Sequence, residues 1–511
     1  MKKLFKYSFV GVLGLLLFTS CYRDKGDYSY KDLNEISIDL PDVVSVQQGM
    51  VLEVSPKFTF ALEEDETNLS YEWVVSIPTS SDSVNVVLST DRDFSEQIDY
   101  ASGNSYPFSL KVTDNSTGVT YRKGMSLEVR TEYQPGYFVV EQYDDCSDLS
   151  FYNTQTGKVF YNVFSEVNPD ITMKPTVMDL YSLDYSGYSS PDGKVAASNM
   201  TMVFGEDWGY VIDYRSFRVL SDMEQMFAMR PAVIRPQVLA SYIERNYNFA
   251  LINDGKIYRM HLEQGQTLFG EPMITTSGVE TGCASFIGSG LSVRGQLVGV
   301  LFFDQVNHCF YSRYQGTNIE LTNVAGVYRV QKETGVDDEV VYDTLFNAAK
   351  VNKDWEMLGM PVGGSGNMYY NIVFRDAENV YVIRYDMPNG GFSKGPLNIA
   401  SEEDCPGMRN SPVFVSPYGR QQIYYANGNE IRLYDADANT SRVLYAFPAG
   451  ENVVSIVLPT NNGLSLTAAT NNGNKGSIYA FTLLNTGDLK DPEPILLATD
   501  FGKIKKIVYK K

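Results

Sequence analysis

Apolar and polar residues alternate along most of this chain from residue 36 onward. An alternation with a period of two is typical of strands that bury one face. Within the first hundred residues of this region, polar turns separate six such runs, which are ISIDL, VLEVSPKFTF, LSYEWVVSI, VNVVLS, YPFSLKVTD and MSLEVR. Several short strands in so short a segment predict a β-sandwich over residues 36–131.

A strand–turn–strand phrase recurs in the rest of the chain, residues 132–511. Each copy has an alternating strand, a polar turn rich in Gly, Asn or Asp, and a second strand. The seven copies begin at Asp148, Gly209, Gly255, His308, Asn379, Asn429 and Gly476. Their mean spacing is about 55 residues, near that of long propeller blades.

Other strand-like runs precede many copies, for example at 199–205, 297–303 and 368–375. Four strands in each unit predict a β-propeller. We favour seven blades over six or eight, with the final GKIKKIVYK closing the ring against GYFVVEQ near residue 137. The segment 330–350 is expected to leave the ring. Two stacked β-domains remain an alternative, whereas the uneven spacing argues against a solenoid.

The N-terminus has the pattern of an export signal. Lysines at positions 2, 3 and 6 precede an apolar run at 9–18, and Thr19, Ser20 and Cys21 follow it. About ten apolar residues are too few to span a bilayer, which takes roughly twenty. A small residue before a cysteine at this place resembles a bacterial lipobox. Residues 1–20 are therefore predicted to be a signal peptide, and Cys21 is predicted to carry lipid. The polar stretch 21–35 is predicted to be a flexible tether.

The sandwich region resembles a known module. A Tyr-x-Trp strand and a later Tyr-x-Phe-x-Leu-x-Val-x-Asp strand followed by Gly resemble a PKD-type immunoglobulin-like domain. The matching residues are Tyr71, Trp73, Tyr106, Phe108, Leu110, Val112, Asp114 and Gly118. Together with the cysteine and tether before it, this region resembles the PKD-like family of bacterial lipoproteins. The resemblance implies a spacer or recognition module rather than a catalytic domain.

Charge and cysteine content narrow the candidate partners. The formal net charge is −20, and no basic cluster offsets it, so we expect no nucleic acid partner. Besides Cys21, the cysteines are Cys146, Cys283, Cys309 and Cys405, with no CxxC spacing. We interpret these four as small buried side chains rather than a metal or redox site.

The sequence offers no recognisable catalytic motif. His261 and His308 are the two histidines, and both fall in the strand phrases, which favours structural roles. The segment 363–367 (GGSGN) misses the final Gly of GxSxG. Acidic stretches at 143–148 and 435–439 do not complete a calcium loop. We therefore predict no catalytic, metal-binding or cofactor-binding residues, with a structural calcium ion left open.

Three methionines, Met223, Met226 and Met229, are spaced three apart. Packing against the ring is the favoured interpretation. The alternative is an adaptable contact surface for peptides or partners.

The functional prediction combines the anchor with the family resemblance. The resemblance implies association with SusC/SusD-type outer-membrane nutrient importers. We expect a non-enzymatic accessory lipoprotein, anchored by lipid in the outer membrane and exposed on the cell surface, which captures peptides or glycans. One alternative is a propeller glycosidase or lyase, which needs two carboxylates roughly 5–10 Å apart. The other is an adhesin or an envelope structural protein.

Overall fold

Strands make up nearly all the regular structure. The computed structural model describes residues 33–510, apart from gaps at 64, 79–82, 101, 103, 189–197, 245, 262–267, 276–277, 289–299, 314–321, 324–326, 333–340, 364–368, 387–390, 393–397, 418–419 and 461–462. In this described part, helix is confined to α1 (Val163–Val167) and two 3-10 turns (Glu224–Met226 and Met408–Asn410). None of these helices is long or apolar enough to cross a lipid bilayer. The all-β prediction is confirmed.

Nine strands build an N-terminal sandwich. They are β1 (Ile36–Asp39), β2 (Val43–Gln47), β3 (Val51–Val54), β4 (Lys57–Phe60), β5 (Leu69–Pro78), β6 (Ser83–Ser89), β7 (Phe94–Gln97), β8 (Asn104–Asp114) and β9 (Val119–Arg130). One sheet has the order β2-β9-β8-β5-β6, in which β2 runs parallel to β9. The antiparallel pairs β1–β4 and β3–β7 pack against its apolar face.

The core of the sandwich lies around Trp73, which is fully buried. Its ring centroid is 5.3 Å from that of Phe94 and 5.5 Å from that of Phe108. The alternating aromatic and aliphatic residues of 106–112 are buried in the same cluster. The residues that carry the PKD resemblance are therefore largely the residues that hold the two layers together.

Seven antiparallel sheets follow, which we call sheets 1 to 7. Sheet 1 contains β10 (Gly136–Gln142), β11 (Ser147–Asn153), β12 (Val159–Phe160) and the last strand, β40 (Lys503–Lys510). Sheet 2 contains β13 (Val177–Tyr188), β14 (Ser198–Gly205), β15 (Gly209–Asp213) and β16 (Val219–Asp222). Sheet 3 contains β17 (Pro236–Glu244), β18 (Asn246–Asn253) and β19 (Lys256–His261).

The later sheets repeat this plan. Sheet 4 contains β20 (Cys283–Gly288), β21 (Val300–Asp304), β22 (Cys309–Arg313) and β23 (Thr322–Asn323), and a separate hairpin of β24 (Val327–Lys332) and β25 (Val341–Asn347) follows. Sheet 5 contains β26 (Glu356–Gly359), β27 (Val362–Gly363), β28 (Tyr369–Arg375), β29 (Val380–Asp386), β30 (Gly391–Phe392) and β31 (Asn398–Ala400). Sheet 6 contains β32 (Phe414–Val415), β33 (Gln422–Asn427), β34 (Glu430–Asp435) and β35 (Thr440–Ala446). Sheet 7 contains β36 (Glu451–Val457), β37 (Ser465–Asn472), β38 (Lys475–Thr482) and β39 (Ile495–Phe501).

Apolar cores between neighbouring sheets close these sheets into a ring. One buried cluster joins each sheet to the next, from sheets 1 and 2 through to sheets 6 and 7. A further cluster joins sheet 7 back to sheet 1. Central strands such as β11 and β21 are buried on both faces, because each face packs against a different neighbour. This radial arrangement is a β-propeller.

The last strand closes the ring as predicted. Strand β40 pairs with β10 over the whole length of both strands, from Gly136 opposite Lys510 to Gln142 opposite Lys503. It also contacts β13 and β36, the first strands of the adjacent sheets. Sheet 1 is therefore built from the two ends of the ring's sequence.

The recurring phrase corresponds to the third and fourth strands of a sheet, for example β34 and β35 in sheet 6. The described residues contain seven ring sheets, the number favoured from the sequence, although the blade number itself stays a prediction. The expected excursion at 330–350 is confirmed only in part. Strands β24 and β25 pair only with each other in the described part of the chain, but Phe346 and Ala348 are buried in the core between sheets 4 and 5.

Candidate functional site

The predicted site residues fall in different places. Cys21, the predicted lipidation site, lies outside the described residues, as does most of GGSGN. His261 ends β19, in agreement with the sequence analysis. His308 lies in the turn before β22 with a φ of 52°, so its placement inside a strand was wrong. The fourth copy of the strand phrase was begun at His308, one residue before β22 starts at Cys309.

The two acidic stretches use their carboxylates to build turns. Asp435 Oδ1 accepts hydrogen bonds from the backbone N–H groups of Asp437 and Ala438, at 2.9 and 3.2 Å. Asp148 is buried and accepts from the backbone N–H groups of Leu149 and Ser165. Across the described residues, no group of three or more His, Cys, Asp or Glu side chains could hold a metal ion. The expectation of no cofactor stays a prediction.

One pair of carboxylates is both buried and close. Glu141 and Asp148 lie directly opposite each other on β10 and β11. Burial raises the pKa of both groups. Glu141 Oε2 accepts hydrogen bonds from Tyr143 Oη, at 3.0 Å, and from the backbone N–H of Gly502. Because Gly502 immediately precedes β40, the Glu141 carboxylate helps to hold the closing strand in place. This contact gives Glu141 a structural role.

The raised pKa of Glu141 predicts a pH-dependent stability. A group whose folded pKa lies above its unfolded pKa stabilises the fold at low pH, and that contribution is lost as pH rises through the folded pKa. We expect the free energy of unfolding of Glu141→Gln, relative to that of the wild type, to be lowest near pH 4.5 and to increase as the pH rises to 8. Urea unfolding at several pH values measures this difference. A difference that stays constant with pH would contradict the prediction.

The spaced methionines mostly pack into the ring, as the favoured interpretation held. Met223 and Met226 are buried in the cluster between sheets 2 and 3, whereas Met229 is 64 % exposed.

The four cysteines agree with their interpretation too, because Cys283, Cys309 and Cys405 are buried and Cys146 is partly buried, all as free thiols.

A cleft with several charged side chains lies where the sandwich meets the ring. Three side-chain contacts link the two parts here. Thr131 Oγ1 donates to the backbone oxygen of Arg215 at 2.7 Å, and Arg218 pairs with Asp99 at 3.0 Å. Gln48 Nε2 donates to Asp213 Oδ2 at 3.4 Å. Between these contacts is a cavity of about 260 Å³, which we call the junction cleft.

Both parts of the chain contribute to the walls of the junction cleft. The lining residues are Gln47, Gln48, Gly49, Met50, Arg130, Thr131, Tyr133, Val167, Arg215, Ser216 and Arg218. Three arginines are among them, and no carboxylate is. Gly49 has a φ of 83°, and a Cβ placed there would be 3.6 Å from Arg218 Nη2. The positive φ therefore favours a glycine at this turn, whereas a Cβ would make only an ordinary van der Waals contact with the arginine.

The ring side of the cleft is a firmly held turn. The backbone N–H of Arg215 and the hydroxyl of Ser216 donate to the two carboxylate oxygens of Asp213, at 3.1 and 2.9 Å. The guanidinium of Arg215 lies 4.8 Å above the Tyr214 ring, and its Nε donates to the Tyr214 hydroxyl at 2.7 Å. The arginine is thus fixed by a neutral partner, which leaves its positive charge uncompensated by that contact.

A known family is similar to the N-terminal part of the chain. Residues 21–175 match the PKD-like family. The match begins at Cys21, covers the sandwich and ends beside sheet 2 of the ring. No curated protein matches the chain in sequence.

Solved structures with similar architecture include a quinoprotein alcohol dehydrogenase-like protein from Bacteroides thetaiotaomicron, at 12% identity and a TM-score of 0.44, covering 92% of this chain and 96% of that one. The Dos1 propeller has 9% identity and a TM-score of 0.37, covering 74% and 87%. The extracellular domain of a one-component system from B. thetaiotaomicron has 9% identity and a TM-score of 0.37, covering 89% and 65%. At these TM-scores the propeller assignment rests on the seven sheets and their closed ring of cores.

Sequence reasoning did not find the junction cleft. Its residues come from three separated segments, 47–50, 130–133 and 215–218, together with Val167. The nearest signal was the pair of arginines in YRSFR, inside an otherwise acidic chain. Nothing in the local pattern connects that turn with the end of the sandwich.

Proposed function

We propose that this protein is a lipid-anchored accessory protein of the outer membrane that binds ligands at the cell surface and assists a SusC/SusD-type nutrient transporter. The observation that carries the proposal is the order of its parts. A lipobox-like cysteine comes first, then a polar tether, a PKD-like sandwich and a closed propeller. Such an order supports a tethered role, in which a large loop-rich surface is held at a distance from a membrane.

The propeller supports the proposal through its shape and its chemistry. Loops between the strands of seven sheets gather at the two faces of the ring, where they offer broad surfaces for a protein or a glycan. The one buried carboxylate pair singled out above, Glu141 and Asp148, is engaged in hydrogen bonds that shape the fold. That use favours binding over glycoside hydrolysis.

A pull-down from native outer membranes tests the proposal. The full-length protein, extracted in mild detergent, should bring transporter subunits of the SusC and SusD type with it. Cys21→Ser should block lipidation, so the variant should leave the membrane fraction during a high-salt wash. Recovery of the lipoprotein without transporter subunits would overturn the accessory role. A Cys21→Ser variant that stayed with the membrane would overturn the anchor.

A further inference from the structure

We propose that the junction cleft binds a small organic acid, with Arg215 pairing with its carboxylate. This goes beyond the accessory role, because it assigns a ligand to a site between the two parts of the chain. Three arginines are among the residues that line the cleft, in a protein whose formal net charge is −20. Guanidinium groups pair with carboxylates through two parallel hydrogen bonds, so a concentration of them points to an anion.

Arg215 is the arginine best placed to receive the carboxylate. Arg130 and Arg218 already have acidic neighbours outside the lining, Glu128 at 3.1 Å and Asp99 at 3.0 Å. Among the described residues, the Arg215 side chain donates to the neutral Tyr214 hydroxyl. Its contacts with the Tyr214 hydroxyl and ring restrict the guanidinium, which lowers the entropy lost when a ligand binds.

The size and the remaining walls fit a small organic acid. A cavity of about 260 Å³ is smaller than the typical pocket for a drug-sized ligand, roughly 300–1,000 Å³. Met50, Val167 and Tyr133 give it an apolar side, suited to the C–H groups of such a ligand. Because the lining comes from both the sandwich and the ring, a bound ligand would also link these two parts.

Isothermal titration calorimetry of the full-length protein in detergent, with D-glucuronate as the probe, tests this inference. We expect D-glucuronate to bind and both D-glucose and inorganic phosphate to bind at least about tenfold more weakly. Arg215→Gln should lower the affinity for D-glucuronate roughly ten- to hundredfold, since it removes a charge-assisted hydrogen bond. Arg215→Lys should keep part of the affinity, because it keeps the charge without the fork.

Arg442→Gln is the matched control. Arg442 is an exposed arginine on β35 of sheet 6 that pairs with Asp488. Its replacement should leave the affinity unchanged. Melting curves of each variant verify that it is folded. No heat of binding, equal binding of phosphate, or unchanged affinity in Arg215→Gln would each overturn the proposal. A failed transporter pull-down would not affect these measurements, so the two proposals fail separately.

Discussion

A chain that ends at Gly502 should fail to form a stable ring. The deletion removes β40, which pairs with β10 along seven residues and packs Ile504 and Ile507 between sheets 7 and 1. It also leaves the edge of β10 unpaired, and an exposed edge strand promotes aggregation. We expect loss of soluble protein, measured as the soluble fraction after expression and as the melting transition of whatever remains.

Single substitutions in β40 separate the loss of packing from the loss of the strand. Ile507 is fully buried, so Ile507→Ala should lower the free energy of unfolding by about 2–5 kcal/mol. Lys505 is exposed on the same strand, and Lys505→Ala should change it by less than about 0.5 kcal/mol. Equal effects of the two, or a soluble truncated chain that melts like the wild type, would show that closure does not stabilise the ring.

The end of the closing strand is also anchored by a buried lysine. Lys510 Nζ donates to the backbone oxygens of Tyr133 and Tyr214, and it lies 4.3 Å from the centroid of the Tyr214 ring. Tyr133 belongs to the linker after the sandwich, and Tyr214 belongs to the turn at the junction cleft. The closing strand is therefore tied to both sides of the cleft.

Replacing Trp73 by alanine should give the second large effect. The side chain is fully buried, packs between Phe94 and Phe108, and donates from Nε1 to the backbone oxygen of Asp91 at 2.9 Å. Removing it leaves a cavity in the centre of the sandwich, at an expected cost of about 3–5 kcal/mol. Chemical denaturation would measure the loss of stability, and hydrogen exchange would locate it in the structure.

The expected loss is local, which gives the prediction its control. Trp73 contacts only the sandwich cluster among the cores described, so hydrogen exchange in the ring sheets should stay slow in Trp73→Ala. Trp73→Phe keeps most of the volume and should cost clearly less than the alanine variant. Similar stability of the alanine variant and the wild type would contradict the central role of this side chain.

The sequence was sufficient for the strands and their repetition. Alternation in 106–112 identified the buried face of β8, and the recurring phrase located the outer strands of most sheets. It also predicted closure, because the final run GKIKKIVYK could pair with GYFVVEQ, the first run of the ring region. The individual strands are local features, so a pattern with a period of two contains them.

The position of His308 shows where local reasoning stops. Its phrase looks continuous in sequence, yet the chain turns at this residue with a positive φ, because Asp304 accepts hydrogen bonds from Val306 and Asn307 and fixes the turn between β21 and β22. Exact strand ends depend on such side-chain contacts rather than on hydrophobic alternation.

By itself, then, the sequence determined an all-β chain, a PKD-like sandwich and a repeated strand–turn–strand unit. The tertiary structure decided which surfaces meet. Seven cores form only when each sheet packs on its neighbours, and the junction cleft forms only because the sandwich docks beside the turn at Arg215. Segments about 80 residues apart supply the cleft's arginines, Arg130 and Arg215. No short-range periodicity links positions so far apart, because their proximity depends on how the whole chain packs.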